Sequence, residues 1–184
     1  MSRNAATPPD AGKLGMIILI MSLSMLFGAS MVAYLIVRSR AAGGWPPAGM
    51  PHLPAGLWLS TLIILCLSIA IESALRGIRR GNAGRLATAS AIAFLLALAF
   101  LLNQALNWRS LLVARANLYG FTFFMLTGLH AAHVIGGLIP LGIVAGRARG
   151  RRYTIEEHSG VLYCTMYWHF LAVVWIVMFA TMLL

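Results

Sequence analysis

Residues Tyr119–Ala145 read YGFTFFMLTGLHAAHVIGGLIPLGIVA, a run with no Asp, Glu, Lys or Arg. A helix needs about 20 apolar residues to cross the hydrocarbon core of a bilayer, and this run exceeds that length. Pro140 removes one backbone donor and crowds the carbonyl of Gly136, so a kink is expected there. Immediately beyond the run lie Arg147, Arg149, Arg151 and Arg152. An apolar stretch of this length with a basic collar predicts a transmembrane helix.

Four further runs have the same character. They are Leu14–Val37, Gly56–Leu75 (with one acid, Glu72), Leu86–Leu106 and Val161–Leu184. No alternating segments of the kind needed for a membrane barrel occur. Lipid offers the backbone no hydrogen-bond partner, so each run is expected to close its bonds internally as a helix. The expectation is an all-α polytopic membrane protein, one membrane domain over residues 1–184 with five transmembrane helices. The run at Leu14–Val37 is longer than a signal-peptide core and is read as a mature helix.

Composition agrees. Of 184 residues, 60% are hydrophobic and 10% charged, against about 25% charged in soluble proteins. A soluble chain of 19.9 kDa exposes too large a share of its surface to hide so much apolar area. Soluble enzyme, disordered tail and disulfide scaffold are excluded. The net charge of +10 would suggest nucleic acid in a soluble protein, but here the basic residues lie between apolar runs. No nucleic-acid partner is expected. Cys66 and Cys164 lie within apolar runs, show no metal-binding spacing, and are expected as small core residues.

The basic residues also orient the chain. Arg3, Lys13, Arg76, Arg79, Arg80, Arg85, Arg147, Arg149, Arg151 and Arg152 fall on one side, ten in all. Arg38, Arg40, Arg109 and Arg115, four in all, fall on the other. The positive-inside rule then places the N-terminus in the cytoplasm and the C-terminus outside. The outer loop Arg38–Ala55 carries Pro46, Pro47, Pro51 and Pro54 and is expected to be stiff. Trp58, Trp108 and Tyr119 fit an outer aromatic belt, and Tyr163, Tyr167 and Trp168 an inner one.

Ionisable groups within membrane spans are the first candidates for function. Glu72 precedes Arg76 by four residues, which predicts an ion pair on one helix face, with a proton relay as the competing role. His130 and His133 share a face of span four, and His169 lies at a depth similar to His133 on span five. Interhelical hydrogen bonding, contact with lipid or water, and haem or metal ligation all remain open for them. A pair three residues apart on one helix cannot bracket a haem. Gly128, Ala132 and Gly136 recur every four residues, a small-residue stripe that predicts close helix packing. Ala87, Ala91, Ala93, Ala97 and Ala99 suggest a second close-packing surface on span three, and Ser22, Ser24 and Ser30 are read as bonded back to their own helix. No HExxH, P-loop or aspartyl pair occurs, and no Gly-rich serine elbow is matched with a membrane histidine.

Two strings carry a family resemblance. YGFTFFMLTGLHAAHVIG at Tyr119–Gly136, followed after a basic loop by YWHFLAVVW at Tyr167–Trp175, resembles subunit III of haem–copper respiratory oxidases, the cytochrome c and quinol oxidases. GWPPAGMPHLP at Gly44–Pro54, LWLSTLIILCLS at Leu57–Ser68 and LLNQALNW at Leu101–Trp108 are similar to the same family's short five-helix bacterial form. The resemblance runs from Leu14 to the C-terminus. It implies a non-catalytic accessory subunit in the bacterial inner membrane that packs on the catalytic subunit I and holds structural phospholipid. It also implies support of proton uptake while the complex reduces O₂ to water and pumps protons. Haem and copper would belong to partner subunits, with none on this chain. Arg147, at the basic position that meets lipid in the family, and Arg152 become lipid-binding candidates.

Three family carboxylates are absent: the positions are occupied by Leu23, Asn107 and Ala172. Their absence leaves open a subunit-III-like accessory protein of a nitric oxide reductase. A free-standing transporter or channel would need a polar lining over several helices, and this chain offers only Glu72 and three histidines for one.

Overall fold

The computed structural model describes residues 9–41, 44–112 and 117–184, and Arg3 and Arg115 of the charge count lie outside them. Among the described residues the secondary structure is helical, with no strand. Five helices run in chain order: α1 Pro9–Ser39, α2 Gly56–Arg79, α3 Ala83–Ser110, α4 Leu118–Arg149 and α5 Ser159–Leu183. All five are long and apolar enough to cross a membrane. Helices α1 to α4 extend beyond their apolar runs at ends that carry basic residues, because polar side chains at a helix terminus can reach the interface while the backbone stays bonded.

The ends have local causes. Asn82 caps α3, its side chain accepting from Arg85 N at 2.8 Å, and Asn117 caps α4, accepting from Gly120 N at 2.9 Å. Each satisfies a backbone donor that the first helical turn leaves free. Between α2 and α3 the chain reverses through Gly81 at φ +72°, a conformation glycine adopts without strain. Ser22, Ser24 and Ser30 donate to the carbonyls of Ile18, Ile20 and Leu26, so these hydroxyls are satisfied within α1 as their spacing suggested.

Helix α2 packs on α3, α3 on α4, α4 on α5 and α5 on α2, closing a ring of four. Helix α1 lies outside this ring, against α4 and α5, and makes no packing contact with its chain neighbour α2. The α2–α3 pair is the most intimate. Its small residues Ala89, Ala93 and Ala97 are buried, and a Cβ at Gly77 would meet Arg85 Cβ at 3.2 Å. Trp168, Trp175, Phe27, Phe100 and Phe123 fill the centre. The outward side chains are mainly Leu, Ile, Val and Met, the reverse of a soluble surface.

Two expectations need correction. Cys164 is buried but Cys66 faces outward. Tyr119 and Trp168 are core residues instead of belt residues, while Trp58 is 62% exposed. Tyr119 is drawn in because its hydroxyl donates to the Pro51 carbonyl at 3.2 Å and its ring meets Trp45 edge-on. Trp45 in turn donates to the Tyr34 hydroxyl at 3.0 Å. The proline-rich loop thus folds back over the bundle and joins α1 to α4.

Candidate functional site

Polar side chains in lipid must find partners, and their placement defines what the bundle can do. The principal cluster lies between α2 and α5. Arg76 Nε donates to Glu72 Oε1 at 2.8 Å, the i,i+4 pair anticipated from spacing. The other carboxylate oxygen faces His169 Nε2 at 3.3 Å, and His169 Nδ1 lies 2.6 Å from Ser68 Oγ. A carboxylate only accepts, so in the neutral ring Nε2 carries the proton and Nδ1 accepts from the serine hydroxyl. Arg85 joins from α3, its Nε donating to Ser73 Oγ at 3.0 Å. These residues line a cleft of about 390 Å³.

The three histidines separate. His169 bonds α5 to α2 as described. His133 Nδ1 instead donates to the Leu129 carbonyl of its own helix at 2.8 Å, and its ring packs on Phe27 of α1. The suggested His133–His169 pairing is therefore replaced by two separate partnerships, because His169 faces α2. His130 is fully buried, and neither ring nitrogen has a partner among the described residues. Phe27, Phe100 and Trp175 surround it, with ring centroids 6.1, 5.6 and 5.1 Å away. Its expected hydrogen-bonding role is corrected to aromatic packing: aromatic rings occupy the positions where acceptors were anticipated. Among the described residues, no group of three or more His, Cys, Asp or Glu side chains is placed to share a metal ion.

The small-residue stripe Gly128, Ala132 and Gly136 does not meet another helix of this chain among the described residues. A Cβ at Gly128 or Gly136 would meet nothing within 4 Å, and Ala132 is exposed. The close approach within the chain occurs one residue along, at Gly137, where a Cβ would lie 2.7 Å from Tyr167 Cε1. The Tyr167 hydroxyl donates to the His133 carbonyl at 2.9 Å across the same crossing. Spacing identified the small residues but not which side of α4 faces α5, where Gly137 alone makes the close approach.

Sequence reasoning also missed a polar seam between α2 and α3. Asn103 Nδ2 donates to the Gly56 carbonyl and to Ser60 Oγ, both at 2.8 Å. Ser60 donates to Gln104 Oε1 at 3.4 Å, and a Cβ at Gly56 would collide with the Asn107 amide. The amides at the end of the third apolar run were its visible signal. Of the three positions singled out by the resemblance, Asn107 and Ala172 are buried and Leu23 is half-buried against the core.

At the α4–α5 loop, Arg147 and Arg152 line one cleft of about 520 Å³ with Tyr153, Glu156, Glu157, Ser159 and Gly160. Two guanidiniums on one concave surface can fork onto a phosphate.

The fold and these sites define a multi-pass membrane protein, a helical bundle stitched by interhelical polar contacts. Residues 6–184 match the family described as Cytochrome c oxidase subunit III. The chain is 31% identical over 173 residues to "Cytochrome c oxidase subunit 3" of Thermostichus vulcanus, covering 93% of this chain and 86% of the relative. It is 30% identical over 178 residues to "Probable cytochrome c oxidase subunit 3" of Mycobacterium bovis (strain ATCC BAA-935 / AF2122/97), with the same coverages. Against "Cytochrome c oxidase subunit 3" of Oryctolagus cuniculus it is 32% identical over 174 residues, 91% of this chain and 67% of that one. The chain belongs to the cytochrome c oxidase subunit III family.

Proposed function

We propose that the chain is a non-catalytic accessory subunit of a proton-pumping haem–copper terminal oxidase, packed on the catalytic subunit I in a bacterial inner membrane. The observation that carries this reading is the family match along residues 6–184. The ten-to-four charge asymmetry supports a cytoplasmic N-terminus and an external C-terminus. Haem and copper reside on the partner subunits. The chain contributes packing and bound phospholipid, with Arg147 and Arg152 clamping a headgroup. Support of proton uptake acts through these contacts, since Leu23, Asn107 and Ala172 supply no carboxylate at three family positions.

The test is a mild-detergent pull-down on the tagged chain, read by haem spectra and O₂ consumption. The expected result is a haem-containing complex that consumes O₂, with no stoichiometric Soret band on the chain after it is separated. Recovery of a complex that reduces nitric oxide and not O₂ would replace the oxidase reading with the nitric oxide reductase one. A Soret band on the separated chain would overturn the absence of its own haem.

A further inference from the structure

The cleft between α2, α3 and α5 presents two guanidiniums in a fixed attitude. Arg76 is held through its Nε by Glu72, and Arg85 through its Nε by Ser73. Among the described residues the terminal amino groups of both make no hydrogen bond, and both arginines line the cleft. Both carboxylate oxygens of Glu72 are already engaged, by Arg76 and His169. Glu72 balances Arg76, so Arg85 leaves one unbalanced positive charge in the lining, which a phosphodiester anion would neutralise.

The furrow that two packed helices leave between them continues from this cleft along α2 and α5, flanked by exposed apolar side chains. On α2 it comprises Leu65, Ile69 and Leu62, at helical spacing from Glu72 and Arg76, and Ile69 is 70% exposed. On α5 it comprises Val173 and Ile176, four and seven residues beyond His169, both exposed. The two helices run antiparallel here, joined by Ser68–His169 and by Trp175 Nε1 donating to Thr61 Oγ1 at 3.0 Å. From Arg76 to Leu62 the furrow spans ~21 Å at 1.5 Å per residue. A second helix would favour small residues on such a face, whereas these are bulky and branched.

We propose that this cleft binds the phosphate of an anionic phospholipid whose acyl chain lies in the α2–α5 furrow. The site is separate from the Arg147–Arg152 cleft and depends only on the bundle being embedded in membrane. Arginine forks orient the phosphate, Ser73 and Glu72 hold the forks, and the furrow confines the chain.

The full chain, purified in mild detergent and stripped of lipid, is titrated with dioleoyl phosphatidylglycerol and read by native mass spectrometry. Arg85→Gln leaves the Glu72–Arg76 pair intact and is expected to weaken one phosphatidylglycerol site about tenfold. Arg85→Lys should retain more of it, and Arg79→Gln, at an exposed position that lines neither arginine cleft, should leave binding unchanged. Unaltered binding in Arg85→Gln would overturn the proposal. Displacement of the lipid by equimolar inorganic phosphate would overturn the lipid assignment in favour of a free anion. A photoreactive residue at Ile69, in native membranes, identifies the occupant directly. Cross-linking to phospholipid is the expected result, and cross-linking only to another polypeptide would overturn it.

Discussion

Gly136 and Gly137 are adjacent in the chain and opposite in consequence. Gly137 faces Tyr167 and Trp168 of α5, so Gly137→Leu must push an aromatic ring and its helix aside. The expected cost is about 1–3 kcal/mol, seen as a lower unfolding temperature in detergent. Gly136→Leu enters open space and should leave that temperature nearly unchanged. A comparable loss at both positions would contradict the rotation of α4 described here. His130 presents the converse case. It is buried without a hydrogen-bond partner among the described residues, and leaving a buried polar group unpaired costs roughly 1–3 kcal/mol. His130→Leu is therefore expected to be neutral or stabilising by thermal unfolding. A clear destabilisation would mean that the ring has a partner beyond those described.

At the scale of elements, the contacts that decide the arrangement are interhelical. His169 links α5 to α2 through Ser68 and Glu72, and intramembrane hydrogen bonds average roughly 0.6 kcal/mol each. His169→Ala should therefore lower stability by about 1 kcal/mol, measured by denaturant titration in detergent, without unfolding the bundle. The helices themselves were legible in the sequence because each apolar run is long enough to cross the hydrocarbon core and the first four are flanked by basic residues. The Glu72–Arg76 pair was legible too, since i,i+4 spacing fixes a shared face. The partners of His133 and His169 were not. Spacing along one helix says nothing about which neighbour lies across from it, and α4 and α5 could face each other with either glycine in the seam. The outward stripe of Gly128, Ala132 and Gly136 is proposed as a contact for subunit I. Gly136→Leu should then reduce the complex recovered by pull-down while the chain alone stays stable, and full recovery would assign the stripe to lipid.

For the molecule as a whole, the ten-to-four basic asymmetry supports the proposed orientation with the N-terminus in the cytoplasm. Single-cysteine reporters in a background lacking Cys66 and Cys164 test it. A cysteine at Arg151 should react with membrane-impermeant reagent only after the cytoplasmic side is opened, and one at Ala48 should react from outside. The reverse pattern would invert the topology and move the Arg147–Arg152 cleft to the other leaflet. Helix α1 adds a constraint in time. It packs on α4 and α5 and on no helix between, so its first helical partner begins at Leu118, well after α1 ends at Ser39. At about 5–20 residues per second, the emerging α1 spends roughly 4–16 s without a helix of its own chain to pack against. For that interval lipid or the insertion machinery must shelter it, and a ribosome stalled after α3 would leave it there, correctly threaded but unclaimed.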